Sequence, residues 1–146
     1  MKDFKLKNWQ KDHPEQVFPA FESLPLSEAV ELGARLSKQF KLSGLTTEEA
    51  TLELWRRSQA IPDLYLKDED IPLSMIFFRC EIVPEDELFV QWRIFQEVDK
   101  FRRVDLEREF YSIWYPTSDD IEVFDGTLKW IVFVSHHGSI SFLKSD

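Results

Sequence analysis

The chain has 146 residues, and its 27 acidic side chains against 18 basic ones leave a formal charge of −9. That length makes one domain able to bury roughly 68% of its unfolded surface without disulfides or metals. The negative field repels phosphate backbones, which argues against nucleic acid as a direct partner, and it steers a basic protein or cationic ligand toward the surface.

Cys80 is the single cysteine, so no intramolecular disulfide can form; within the apolar run Met75 to Val83 it suits a small buried hydrophobe. The opening residues MKDFKLKNWQKDH carry no apolar signal region, and no run reaches membrane-spanning length. The expectation is a cytoplasmic protein without a membrane partner.

In chain order, residues 1–26 hold Pro14, Pro19 and Pro25 among scattered apolar side chains. Proline at that density disfavours a long helix, and the expectation is an extended arm laid over the domain. A helix pair is expected over 27–61. Ser27 caps the first helix, Leu32, Leu36 and Phe40 recur at four-residue spacing, and Gly44 suits its C-terminal end. Thr46 and Glu49 form a capping box for the second, Arg56 and Arg57 suit its C-terminal dipole, and Pro62 closes it.

Residues 71–143 are expected to form an antiparallel sheet. Acidic turns at 67–70 and at Pro84 to Glu87 bracket a strand from Ser74 to Val83, rich in Ile, Phe and Val. Leu88 to Val98 fits strand alternation and also a helical stripe through Val90, Ile94 and Val98; its aromatic and β-branched content favours the strand. Arg102 to Tyr115 reads as one strand or as two joined by a bend. A loop at 116–120 leads to a final hairpin, with Asp125-Gly126 supplying positive backbone dihedrals at its turn. Trp130 to Val134 is apolar on both parities, the mark of a strand covered on both faces. Helices followed by strands give an α+β fold: an N-terminal helix pair on a mostly antiparallel sheet, in a single domain.

Chemistry-bearing residues gather near the C-terminus. His136 and His137 follow the central strand, and continued alternation would point them to opposite faces, which disfavours joint metal chelation. Ser135 and His137, with Asp119 or Asp120 approaching from the loop, supply the residue types of nucleophile, base and orienter. The glycine spacing of a nucleophile elbow is missing, so these are candidates by residue type alone. Zinc-ligand spacing, calcium-loop spacing, phosphate-binding loops and dinucleotide fingerprints are all absent, and no cofactor or metal is expected. Trp9, Tyr111, Trp114 and Tyr115 lie among charges, as aromatic anchors of protein interfaces do.

The stretch YPTSDDIEVFDGTLKWIVFVSHHG, Tyr115 to Gly138, resembles the hairpin-and-tryptophan ending of small acidic bacterial proteins, including immunity proteins of contact-dependent and polymorphic toxin systems. Where those proteins carry a glutamate after the first histidine, this chain has His137. The resemblance implies a bacterial, cytoplasmic, non-enzymatic binder and transfers no residue role. Charge and resemblance together predict a non-catalytic protein-binding domain that covers a basic partner. Glu85, Asp86, Glu87, Asp119, Asp120, Trp114 and Tyr115 are the expected binding residues. The alternatives are a small enzyme or ligand-binding protein with a pocket near His136, His137, Asp119 and Asp120, or a subunit that forms homo-oligomers.

Overall fold

The computed structural model describes residues 1–66 and 70–146. Among these, seven strands form one antiparallel sheet: β1 (Phe21–Ser23), β2 (Gln59–Tyr65), β3 (Glu87–Arg93), β4 (Glu97–Arg102), β5 (Ile121–Asp125), β6 (Trp130–Val134) and β7 (Ser139–Lys144). Their order across the sheet is β1-β4-β3-β5-β6-β7-β2. Five helices cover it: α1 (Asp3–Asp12), α2 (Leu26–Gln39), α3 (Thr47–Arg57), α4 (Leu73–Arg79) and α5 (Arg103–Ile113). The fold is α+β, in three layers.

Strand β6 is interior and every residue of it is buried. Trp130, Val132 and Val134 enter the core shared with α4 and α5, whereas Ile131 and Phe133 enter the core beneath α2 and α3. Alternating side chains of a two-sided strand thus feed two separate hydrophobic layers. The α2–α3 pair covers one face, as its sequence pattern predicts, but α2 begins at Leu26 with Pro25 at its N-cap, so Ser27 lies inside the first turn and is not the cap. Thr46 Oγ1 accepts from Glu49 N–H (3.2 Å) while a Glu49 carboxylate oxygen accepts from Thr46 N–H (2.8 Å), completing the capping box.

Several expected elements differ. Residues 1–26 are not an extended arm, because the first proline is Pro14 and the proline-free stretch before it forms α1. Ser74 to Val83 is not a strand: Leu73, Ile76, Phe77 and Cys80 are buried at helical spacing, and Pro72 sits at the N-cap of α4. The Arg102 to Tyr115 segment is mainly α5, with Asp105, Leu106, Phe110 and Ile113 buried on one stripe and Val104 exposed. Leu88 to Val98 is not one strand; it spans parts of β3 and β4, which turn at Ile94 and Phe95.

Helix α2 ends at Gln39 rather than near Gly44. Lys41 takes the left-handed conformation (φ 59°), and Leu42 N–H donates back to the Ser37 carbonyl (2.8 Å). Pro62 does not close α3, which stops at Arg57, but lies in edge strand β2, where a missing donor is tolerated. At the β5–β6 turn the positive φ belongs to Leu128 (56°), not to Gly126. The buried Asp125 carboxylate organises that turn, accepting from Thr127 N–H (3.0 Å), Glu85 N–H (3.1 Å) and the Trp130 indole (3.0 Å). Of the acidic turn at 67–70, residues 67–69 lie outside the described residues. No described helix is long and apolar enough to cross a membrane.

Candidate functional site

The β3–β5 ladder runs from Leu88↔Asp125 to Gln91↔Glu122. Beyond it the β3 end, Trp92 and Arg93, faces the loop residues Asp119 and Asp120, and a cleft of about 430 Å³ opens between α3 and the β3–β4 turn. Trp55, Leu52 and Glu48 of α3 line one wall, Trp92, Arg93 and Ile94 the other, with Gln91, Glu122 and Asp120 also facing it.

Glu122 is 5% exposed, and both its oxygens accept hydrogen bonds: one from the Trp55 indole, the other from the Gln91 amide. Burial raises its pKa to about 8, helped by the nearby charge of Asp120 and opposed by those two donors. Gln91 also accepts from Phe95 N–H (2.9 Å), so one amide joins the carboxyl to the strand turn. That turn is strained, with Ile94 and Phe95 at φ 35° and 55°, values glycine and asparagine usually take. Phe95 is held there by close packing on α2, where Gly33 leaves room for its ring.

Asp119 and Asp120 serve different sides. Asp119 accepts from the Lys5 ammonium and from Tyr115 N–H (2.7 Å). Lys5 is 2% exposed, donates to the Ile113 carbonyl (2.5 Å), and lies over the rings of Trp92 (4.4 Å) and Tyr115 (4.5 Å). Desolvation lowers its pKa, partly offset by the bond to Asp119. Asp120 faces the cleft and accepts from the backbone N–H of His136 (2.7 Å), with the ring Nδ1 of His136 at 2.9 Å.

The histidines do not continue the strand. β6 ends at Val134, and both occupy the tight β6–β7 turn, where Gly138 N–H donates to the Ser135 carbonyl (2.8 Å) and the two rings lie 3.9 Å apart between centroids. Ser135 Oγ is 2.6 Å from Ser139 Oγ. Ser135, His137 and Asp119 make no hydrogen bond to one another among the described residues. Nor do three His, Cys, Asp or Glu side chains gather as metal ligands among them.

The expected binding residues are split. Glu85, Asp86 and Glu87 are exposed at the start of β3, beside the β5–β6 turn, and Asp119, Asp120 and Tyr115 lie at its other end. Six residue steps of extended strand separate these ends by about 20 Å. Asp86 and Glu87 are each 3.6 Å from a cation, Arg103 and Lys100. Trp114 is 2% exposed, parallel to the Phe110 ring, and its indole donates to the Asp119 carbonyl (3.1 Å). It packs in the core and offers no surface anchor. Trp9 is buried, donating to Glu109 (2.8 Å), and Tyr111 is bonded to the Ile71 carbonyl.

Sequence reasoning missed Glu122, Trp55, Gln91 and Trp92. The legible signal for Glu122 was a lone carboxylate flanked by Ile121 and Val123 in a strand whose neighbours are apolar on both parities. The chain matches no protein-family model, and comparison with curated proteins and with solved structures gave no match.

Proposed function

We propose that the protein is a non-catalytic binding domain, of the toxin-immunity kind, that covers a basic protein partner with the end of the sheet carrying Asp120. The observation that carries this reading is the cleft, where Glu48 and Asp120 stand beside two tryptophans within a chain of net charge −9. Aromatic side chains flanked by carboxylates bind cationic surfaces through both burial and charge. The Glu85–Glu87 end supports it less, because Lys100 and Arg103 offset its charge locally. The commitment of Ser135 to Ser139 and of Asp119 to Lys5 favours binding over nucleophilic chemistry. The resemblance of the C-terminal third supports the immunity assignment.

The test is the salt dependence of association with the partner recovered from the native organism. Between roughly 50 and 500 mM salt, association slows substantially while dissociation changes less, since exposed charges act mainly on encounter. Glu48→Gln with Asp120→Asn slows association more than neutralising Glu85, Asp86 and Glu87 does. An acidic partner, or an association rate flat across that salt range, refutes the reading.

A further inference from the structure

Trp92 has a different neighbour on each side. Toward α1 it packs against an ammonium, that of Lys5, which Asp119 neutralises. Toward α3 it lines the open cleft, where the next residue, Asp120, presents its carboxylate. The first side is a filled cation site built from a tryptophan and an aspartate of this chain. The second sets Asp120 beside Trp55 and Glu122, with Trp92 at its edge, since the Trp92 indole N–H is held by Asp99 (2.7 Å), and its ion pairing among the described residues is limited to Asp120 with His136.

We infer that this cleft seats an arginine side chain of the basic partner, its guanidinium facing Asp120 and Glu122 and its stem lying along Trp55 and Leu52. The inference rests on the function proposed above and names the group that the surface recognises. Asp120, in the loop just before β5, and Glu122, the second residue of β5, both line the cleft and so present two carboxyl groups to one occupant. A planar guanidinium with a fork of donors spans such a pair and lies flat on an indole, which a compact ammonium does less well. The apolar wall of Leu52 and Ile94 suits the aliphatic stem of a long side chain.

Binding couples to a proton. Glu122 is largely neutral near pH 7, because its carboxyl titrates at about 8, and a guanidinium beside it favours the ionised form. The guanidinium stays charged throughout. The other charged groups facing the carboxyl are Asp120 with its His136 partner, Glu48 from α3, and Arg93 from β3. Arg93 is the cation at the rim, and it opposes entry of a second one.

The probe is N-acetyl-arginine amide, titrated into the full chain while the indole N–H resonances of Trp55 and Trp92 are followed by NMR, with N-acetyl-lysine amide alongside. Expected are saturable shifts of both indoles, weaker binding of the lysine compound, and an affinity for arginine that rises about tenfold from pH 7 to pH 9. Asp120→Asn, an exposed change that leaves the core intact, weakens binding several-fold. Glu122→Gln removes the pH dependence, His136→Asn keeps it, and Arg93→Gln tightens binding.

No saturable shift at tens of millimolar, indifference to Asp120→Asn, or weaker binding by Arg93→Gln overturns the inference. A native partner that proves basic yet associates equally well with Asp120→Asn refutes this seat and leaves the basic-partner reading standing. A partner that proves acidic refutes both.

Discussion

Replacing Glu122 by glutamine should reverse the order of stability of the two proteins between acid and alkaline pH. The folded carboxyl titrates at about 8 against an ordinary value of 4.5, so the folded state binds more protons than the unfolded chain inside that window. Stability is therefore fully present below pH 4.5 and is lost as pH rises through 8. Each tenfold difference in proton affinity between the two states is worth about 1.4 kcal/mol, so this group alone lowers stability by about 4 kcal/mol between roughly pH 5 and 9. Glutamine carries no charge, but its NH2 group donates and cannot accept, so either the Trp55 or the Gln91 donor loses its acceptor, which costs about 1 to 2 kcal/mol.

The variant should thus be less stable than the wild type at pH 5 and more stable by about 2 to 3 kcal/mol at pH 9. The crossing would fall between. Urea melts of both proteins at unit steps from pH 5 to 9 measure it. The histidines are common to both chains and cancel in the difference. Burial pushes the Cys80 thiol up to about 11 and the Tyr111 hydroxyl to about 12, so neither enters the window. A stability difference that stays constant with pH, or one that moves in the wild type's favour as pH rises, refutes the account of Glu122 as a buried, largely neutral acid.

The other predictions concern what holds the site in place. Trp130→Ala should cost about 3 to 5 kcal/mol, because it empties a core position beside Phe77 and leaves Asp125 short of a donor; a denaturant melt shifted by less than about 1 kcal/mol, a surface-like value, would show that β6 is not central. Lys5→Met should cost about 3 kcal/mol by stranding Asp119, and Asp119→Asn in the same chain should recover part of it, as a double-mutant cycle measures. Gly33→Ala places a methyl 2.7 Å from the Phe95 ring and should destabilise by about 1 to 3 kcal/mol despite alanine's better helix propensity. If thermal melts show that alanine stabilises instead, Phe95 does not hold the β3–β4 turn against α2.

Elements with a local signal were legible in the sequence. Thr46 and Glu49 announce α3 because a capping box is closed by residues three apart, and Trp130 to Val134 announces a two-sided strand because both parities are apolar. Where two periods fit one run, composition misled. Met75, Ile76, Phe77 and Phe78 have the residue types of a strand, yet Leu73, Ile76, Phe77 and Cys80 make a helical stripe that the α5 layer buries. The β3–β4 turn gave no sign at all, since Arg93-Ile94-Phe95-Gln96 lacks the glycine or asparagine that positive φ normally selects. Tertiary packing, with Phe95 pressed onto Gly33, fixes that turn, and no window of neighbouring residues contains both partners.

The site followed the same logic. Asp119-Asp120 and His136-His137 were visible as clusters, but the alternation that assigned faces to the histidines fails once the strand ends at Val134 and a turn begins. The two aspartates do separate to opposite sides, and that separation determines their chemistry. Asp119 is consumed in holding Lys5, a contact 114 positions away along the chain, while Asp120 is left to face the cleft. Glu122 comes to lie between Trp55 of α3 and Gln91 of β3, residues 67 and 31 positions away. A buried carboxyl is costly to ionise, and it is tolerated here because two neutral donors meet its oxygens. The same arrangement leaves it ready to ionise when a cation arrives, so the position hardest to read from the sequence is the one whose titration reports whether the cleft is used.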